Sequence, residues 1–428
     1  MSISRRGFLF GGAALLGGAL LGSPFAFTQE QTHKRLIVLM ARGGWDPVAA
    51  LDPKDEGPGV SMPAGSRARV GNLDLYSADA TGGAVTRYFE RHGDVTAVIR
   101  GLTVASVAHE ACTRRILTGT LSAASPDLGA ISAATGGGDK PLPYMVLGSS
   151  AFSGPYAAQS GRVGTSNQLV TVLDPAKAFP VEGAAAAPFA QTQDEASAAQ
   201  AFLEGRANRL RRQVGRYGDN ARRIDDYQAS LASSSRLGAF GDALGDVTAS
   251  VALTRQVDTA LDMMEQGVIW SVTLDTGVSW DTHTNSHTDQ TANNIILFDG
   301  LTRLIDGLKS RPGTTGGRLI DETAVVVVSE MGRTPTINSQ QGKDHWQVTC
   351  AMVIGSDVPG GQVYGKSTDT GDERGVLLAE PVDFATGQAS ADGRMLESTD
   401  FVAGVLAWTG SEPEQYLPGA VPFMPWVS

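Results

Sequence analysis

Carboxylates and imidazoles gather in this 428-residue chain where apolar runs give way to polar loops. Residues 323–328 (TAVVVV) lead into Ser329-Glu330-Met331-Gly332-Arg333, and the loop beyond brings Asp344 and His345. Residues 268–274 (VIWSVTL) precede Trp280-Asp281-Thr282-His283, with His287 four residues on. Residues 35–41 (RLIVLMA) precede Arg42-Gly43-Gly44-Trp45-Asp46. Four of the six histidines, His109, His283, His287 and His345, sit in or beside such loops. Carboxylate oxygens combined with imidazole nitrogens suit zinc, manganese or iron; oxygen-dominated sets suit calcium or magnesium. The chemistry on offer is that of a divalent-metal site. Each residue also has a structural alternative. Asp46, before Pro47, is placed to fix a turn. Glu330 could pair with Arg333, Asp344 could orient an imidazole, His287 could lie on a surface loop, and His109 could cap a helix.

The elements that must position these groups follow from patterning. A continuous β-branched run bounded by turn residues reads as a strand buried on both faces of a parallel sheet. Such sheets bind ligands outside the carboxyl ends of their strands, and Asp46, Asp281 and Glu330 lie at or just beyond such ends. Further strands are expected at 95–99, 144–147 and 351–354, and helices near 84–91, 109–117, 294–308 and 400–408. Between 193 and 266 apolar positions recur three and four apart among Ala, Arg and acidic residues. This predicts long helices broken near 218 and 233–245. Alternating strands and helices indicate an α/β fold with a mostly parallel sheet and a helical insertion. With 42% hydrophobic residues the chain can bury a large core, so residues 35–428 are expected as a single α/β domain.

The N-terminus reads as a targeting segment. Ser4-Arg5-Arg6-Gly7-Phe8-Leu9 is a twin-arginine motif, followed by an apolar run from Phe10 to Leu21. That run is too short to span a bilayer comfortably, so a signal peptide over 1–26 is expected rather than an anchor. The expected partner is the twin-arginine export machinery, the expected location periplasmic or secreted, and no stable membrane span is expected in the mature protein. Removing Arg5 and Arg6 from 34 basic residues leaves 32 against 45 acidic ones, a change in net charge from -11 to -13. An acidic chain is poorly suited to nucleic acid. The two cysteines, Cys112 and Cys350, are compatible with one disulfide or with two buried thiols.

Several of these blocks carry a family resemblance. The twin-arginine leader, the stretch from Val38 to Asp46, Trp280-Asp281-Thr282-His283, the stretch from Val327 to Pro335, Asp344-His345-Trp346 and the later Gly360-Gly361-Gln362-Val363-Tyr364-Gly365 occur in order. Together they resemble the exported bacterial family of domain of unknown function 1501. That family is similar in turn to the alkaline phosphatase and sulfatase superfamily. The resemblance implies a three-layer α/β/α sandwich with metals at the carboxyl edge of its sheet. It assigns metal binding to Asp46, to Asp281 and His283, and to a late carboxylate matched by Glu330. The superfamily has Asp-His where this chain has Glu330-Met331. His345 either supplies the missing imidazole or matches the superfamily's final metal histidine. Counting back from Leu117-Thr118-Gly119, the sulfatase nucleophile position falls on His109.

These readings give a working expectation: a metal-dependent hydrolase of phosphate or sulfate esters acting on a small anionic ester. The metal set would be Asp46, Asp281, His283, Glu330, Asp344 and His345, holding zinc, manganese, calcium or magnesium. His109 would stand at the attacking position, and Arg42 or Arg333 would steady an oxyanion. The alternative is a non-catalytic exported binding or assembly protein on the same fold.

Overall fold

The computed structural model describes residues 33–162, 192–238, 252–371 and 375–427. The twin-arginine segment lies outside the described residues. The chain opens with β1 (Arg35–Met40), then a hairpin of β2 (Gly65–Val70) and β3 (Leu73–Ala78), then α1 (Ala84–His92) and β4 (Thr96–Thr103). Next come α2 (His109–Thr118), α3 (Leu128–Gly136), β5 (Tyr144–Val146) and β6 (Ser160–Arg162). The helices α4 (Gln193–Val214), α5 (Asn220–Gly238) and α6 (Leu253–Glu265) lead to β7 (Ser271–Asp275) and α7 (Ser286–Ser310). The last third holds β8 (Thr323–Val328), β9 (Gly332–Arg333), β10 (His345–Trp346), β11 (Val348–Ile354), β12 (Val363–Tyr364) and α8 (Ser398–Trp408).

Eight strands form one sheet in the order β12-β4-β11-β8-β1-β7-β5-β6. Every pairing is parallel except those of β11, which runs antiparallel to both β8 and β4. Successive side chains of a strand point to opposite faces, and β1 shows where they go. Ile37 and Leu39 pack with Tyr88, Phe298 and Leu261 of α1, α7 and α6. Leu36, Val38 and Met40 pack with Ile116, Ile131 and Phe401 of α2, α3 and α8. Burial on both faces removes any polar alternation from the strand, which is why β1 and β8 read as unbroken apolar runs. The expected three-layer α/β architecture with a mostly parallel sheet is present.

The reversed strand matters for the site. The carboxyl ends of β1, β4, β7 and β8 lie on one edge, and β11 presents its amino end there. Thr349 pairs with Leu102 near the end of β4, and Ala351 with Val328 at the end of β8. The segment just before β11, which holds Asp344 and His345, therefore arrives at the same edge as Glu330.

Some boundaries move. The helix expected at 294–308 begins at Ser286, after Asn285 in a left-handed conformation (φ 49°), so His287 lies in its first turn. The strand expected at 268–274 begins at Ser271, because Val268 N–H still bonds the Met263 carbonyl at the end of α6. The hairpin β2–β3 is an addition to the expected elements: its first strand is largely exposed and carries no apolar signal. Cys112 and Cys350 are both buried and free, and they lie in the core layers on opposite faces of the sheet. No described helix is long and apolar enough to cross a membrane.

One buried acid ties a corner of this frame. Asp127 caps α3 by accepting from Ala130 N–H at 2.8 Å, and also accepts from Phe152 N–H at 2.6 Å and Tyr144 O–H at 3.1 Å. Burial pushes its carboxyl up from 3.8 to about 6, the hydrogen bonds only partly opposing it. A carboxyl whose folded value is raised stabilises the fold most below its unfolded value and loses that stabilisation as pH climbs through the folded one. Urea unfolding of wild type and Asp127→Asn should therefore diverge with pH. Wild type is expected to lose up to about 3 kcal/mol relative to the variant between pH 4 and 7. A difference independent of pH would refute the raised value.

Candidate functional site

Four loops meet at the carboxyl edge. The loop after β1 turns at Gly43, whose φ is 122° and whose added Cβ would lie 2.4 Å from the Asp281 backbone nitrogen. Only glycine permits that conformation and that approach together. Its N–H donates to both oxygens of Glu330, at 2.8 and 3.0 Å. Ser329 joins the same loops by donating to the Ala41 carbonyl at 2.7 Å and accepting from Trp45 N–H at 3.0 Å. β9 and β10 pair antiparallel, setting His345 opposite Arg333. His109 arrives at the first position of α2, reached from the end of β4.

Three imidazoles are tied back through Nδ1. His109 Nδ1 lies 3.0 Å from Glu330 Oε1, His345 Nδ1 lies 2.8 Å from the Val107 carbonyl oxygen, and His283 Nδ1 lies 3.3 Å from Asp344 Oδ1. All three partners are acceptors, so each Nδ1 donates, leaving Nε2 as the atom of each ring that can take a cation. Those Nε2 atoms turn toward Asp281. His345 Nε2 is 3.0 Å and His283 Nε2 is 3.1 Å from Oδ1, while His109 Nε2 is 3.3 Å from Oδ2. His109, Asp281 and His345 each offer an atom within 4.8 Å of the others, the spacing of a possible metal group. Tetrahedral zinc with bonds of about 2.1 Å sets ligand atoms roughly 3.4 Å apart. The distances around Asp281 fall just short of that. The decisive contact is His283 Nε2 to His345 Nε2, at 2.9 Å. Two lone pairs at that separation repel unless a proton or a cation lies between them. On donor chemistry and spacing, these residues fit a metal ion.

The charges agree. Burial works to raise the Asp281 carboxyl. Hydrogen bonds from Arg333 and His345, with the charges of Arg333 and His109, outweigh it and hold the group well below the usual carboxylate range. The hydrogen bond to Glu330 is the largest influence on His109 and raises it, against burial. The cluster borders an open cleft of about 490 Å³ whose walls include Arg42, Ser149, Asp275 and Ser279. Arg42 is exposed, with Nη1 3.3 Å from Ser149 Oγ.

The structure thus brings His109, Asp281, His283, Glu330 and His345 together. It places the other expected residues differently. Asp46 is buried beneath the loop, where Lys343 Nζ lies 2.7 Å from its Oδ2. Asp344 is exposed and holds the His283 ring from outside. Arg333 is fully buried, donating to the carbonyls of Gly43, Gly44 and Lys343 and to Asp281 at 2.6 Å, so it faces no ligand. Glu330 meets His109 in place of Arg333, and the imidazole that Asp344 orients is that of His283. His287 turns away and donates from Nε2 to the Ser61 carbonyl at 3.2 Å. Two residues had no signal in the sequence. Lys343 lies in a polar loop with nothing in its neighbours to mark it. Gln290 sits inside α7, where its amide bonds Gly44 and Trp280 carbonyls and Thr282 Oγ1 while its oxygen accepts from Asp46 N–H.

Solved structures similar to this chain include a protein in the alkaline phosphatase superfamily from Vibrio parahaemolyticus. It is 9% identical, with a TM-score of 0.39, over 89% of this chain and 67% of that one. Ps i-CgsB has a TM-score of 0.39 and 11% identity, over 90% of this chain and 75% of its own. The phosphonate monoester hydrolase from Silicibacter pomeroyi has a TM-score of 0.33 and 11% identity, over 92% and 78%. No curated protein matches the sequence. The model of the family described as protein of unknown function DUF1501 matches residues 33–385, which include every residue of the cluster, and the chain belongs to that family.

Proposed function

We propose that this chain is an exported, metal-dependent hydrolase of phosphate or sulfate esters, built on one divalent cation. The observation that carries the reading is the set of three imidazoles, each held through Nδ1, with Nε2 atoms converging on Asp281 at the rim of an open cleft. His109, Asp281 and His345 would hold the ion, with His283 beside them. Imidazole nitrogens with a single carboxylate favour zinc, manganese or iron over calcium or magnesium. The cation would polarise an ester oxygen and offset charge gathered in an in-line displacement. The protein supplies the rest. Glu330 fixes the His109 ring, Arg333 holds Asp281, and Arg42 offers an exposed guanidinium to an anionic group in the cleft. The twin-arginine leader supports export, and an acidic mature chain argues against nucleic acid as the substrate.

A second reading has an observation of its own. His109 stands at the position the superfamily resemblance gives to the nucleophile, yet both its ring nitrogens face carboxylates. That favours a non-catalytic metal-binding protein. A screen of phosphate and sulfate esters with the metal-loaded protein separates the two: turnover supports the hydrolase, and its absence across both classes supports the binding protein. Where turnover is found, Arg42→Ala should lower kcat/KM by roughly 10–100-fold, chiefly through KM.

Metal content tests the centre directly. After expression with zinc or manganese, elemental analysis should find metal in wild type and little in His345→Ala, with circular dichroism unchanged. Glu330→Gln keeps the shape but weakens the hold on His109, and should lower metal affinity about 10–100-fold. A wild-type protein free of metal under these conditions would sink the proposal.

A further inference from the structure

Beneath the cluster lies an ion pair that the chemistry above does not use. Asp46 and Lys343 have fully buried side chains, with Nζ 2.7 Å from Oδ2. Asp46 Oδ1 accepts from Val48 N–H at 3.2 Å. Both oxygens of this strand-end carboxylate are engaged, one of them by a full positive charge. The superfamily resemblance assigns a metal to Asp46, but the residues present do not fit one. An incoming cation would meet the ammonium at contact distance. Lys343 is also held in place through its backbone. Its N–H donates to the Thr282 carbonyl at 3.0 Å, and its own carbonyl accepts from Arg333 at 3.0 Å. The side chain therefore leaves from between the loop after β7 and the arm of β9, and reaches Asp46 in the loop after β1.

We propose that Lys343 is a resident cation, its ammonium standing at Asp46 where a metal would otherwise be needed. The site is then a centre of one metal and one lysine. Lys343 acts as a positioning residue: it neutralises Asp46, whose other oxygen holds the Val48 N–H of the turn beneath the cluster. A lysine offers this charge without dependence on metal supply and cannot be removed by a chelator. Only the count of one metal rests on the proposed hydrolase reading; the pairing of Lys343 with Asp46 stands apart from it.

The test compares full-length wild type, Asp46→Asn, Lys343→Ala and the double variant for metal per chain and for Tm, with and without manganese. Asp46→Asn should hold as much metal as wild type. Lys343→Ala leaves a buried carboxylate unpaired and should lose roughly 5 °C or more in Tm. Added manganese should restore that loss as one further equivalent binds, and the double variant should show no such gain. Folding of Lys343→Ala with manganese but not with a chelator counts the same way. Loss of one metal equivalent from wild type on Asp46→Asn would overturn the inference. So would a Lys343→Ala protein indifferent to manganese, folded or unfolded. A wild type without any metal ends the hydrolase reading but leaves the Lys343→Ala comparison to decide this one.

Discussion

A guanidinium with no exposure to solvent ties the functional edge together. Arg333 donates to carbonyls of the loop after β1, to the Lys343 carbonyl between β9 and β10, and to Asp281 in the loop after β7. Three segments far apart in sequence thus share one rigid fork of donors. Arginine suits this duty because it stays charged when buried and its planar head meets several acceptors at once. Without it, three backbone carbonyls would be left inside the protein with reduced pairing, which is costly, and Asp281 would lose its bond to the guanidinium. The position of Asp281, and so of the three imidazoles around it, depends on this contact.

The charge balance of the edge follows from the same frame. Asp46, Asp281 and Glu330 bring three carboxylates into a small space, against the permanent charges of Arg333 and Lys343. Asp46 is neutralised by Lys343. Asp281 lies under the influence of Arg333 and His109, Glu330 meets the His109 ring, and the remaining groups are imidazoles with Nδ1 already committed. The surplus is negative and lies beside nitrogen lone pairs, an environment that favours a cation.

Much of the fold was legible in the sequence. The unbroken apolar runs of β1 and β8 are a direct consequence of burial on both faces, and α1, α2 and α8 showed their spacing plainly. The start of α7 was not legible, because its first six residues are polar and carry no apolar spacing. Gln290 shows the difficulty. Its amide joins Trp280 and Thr282 to Gly44 and Asp46, and the last two are more than 200 residues away and reach it only through the fold.

For the site, residue type and strand-end position were enough to mark Asp281, His283, Glu330, His345 and His109 as candidates, since carboxylates and imidazoles beyond apolar strands have few other reasons to gather. Sequence alone determined which chemistry the chain could hold and which edge of the sheet would hold it. Tertiary structure decided the partners. It alone placed Lys343 on Asp46, moved Arg333 from Glu330 to Asp281, and set Asp344 behind His283. The reason is that charge pairing is fixed by separations of a few ångströms in three dimensions, and the antiparallel entry of β11 sets those separations for residues that neighbour one another only after folding.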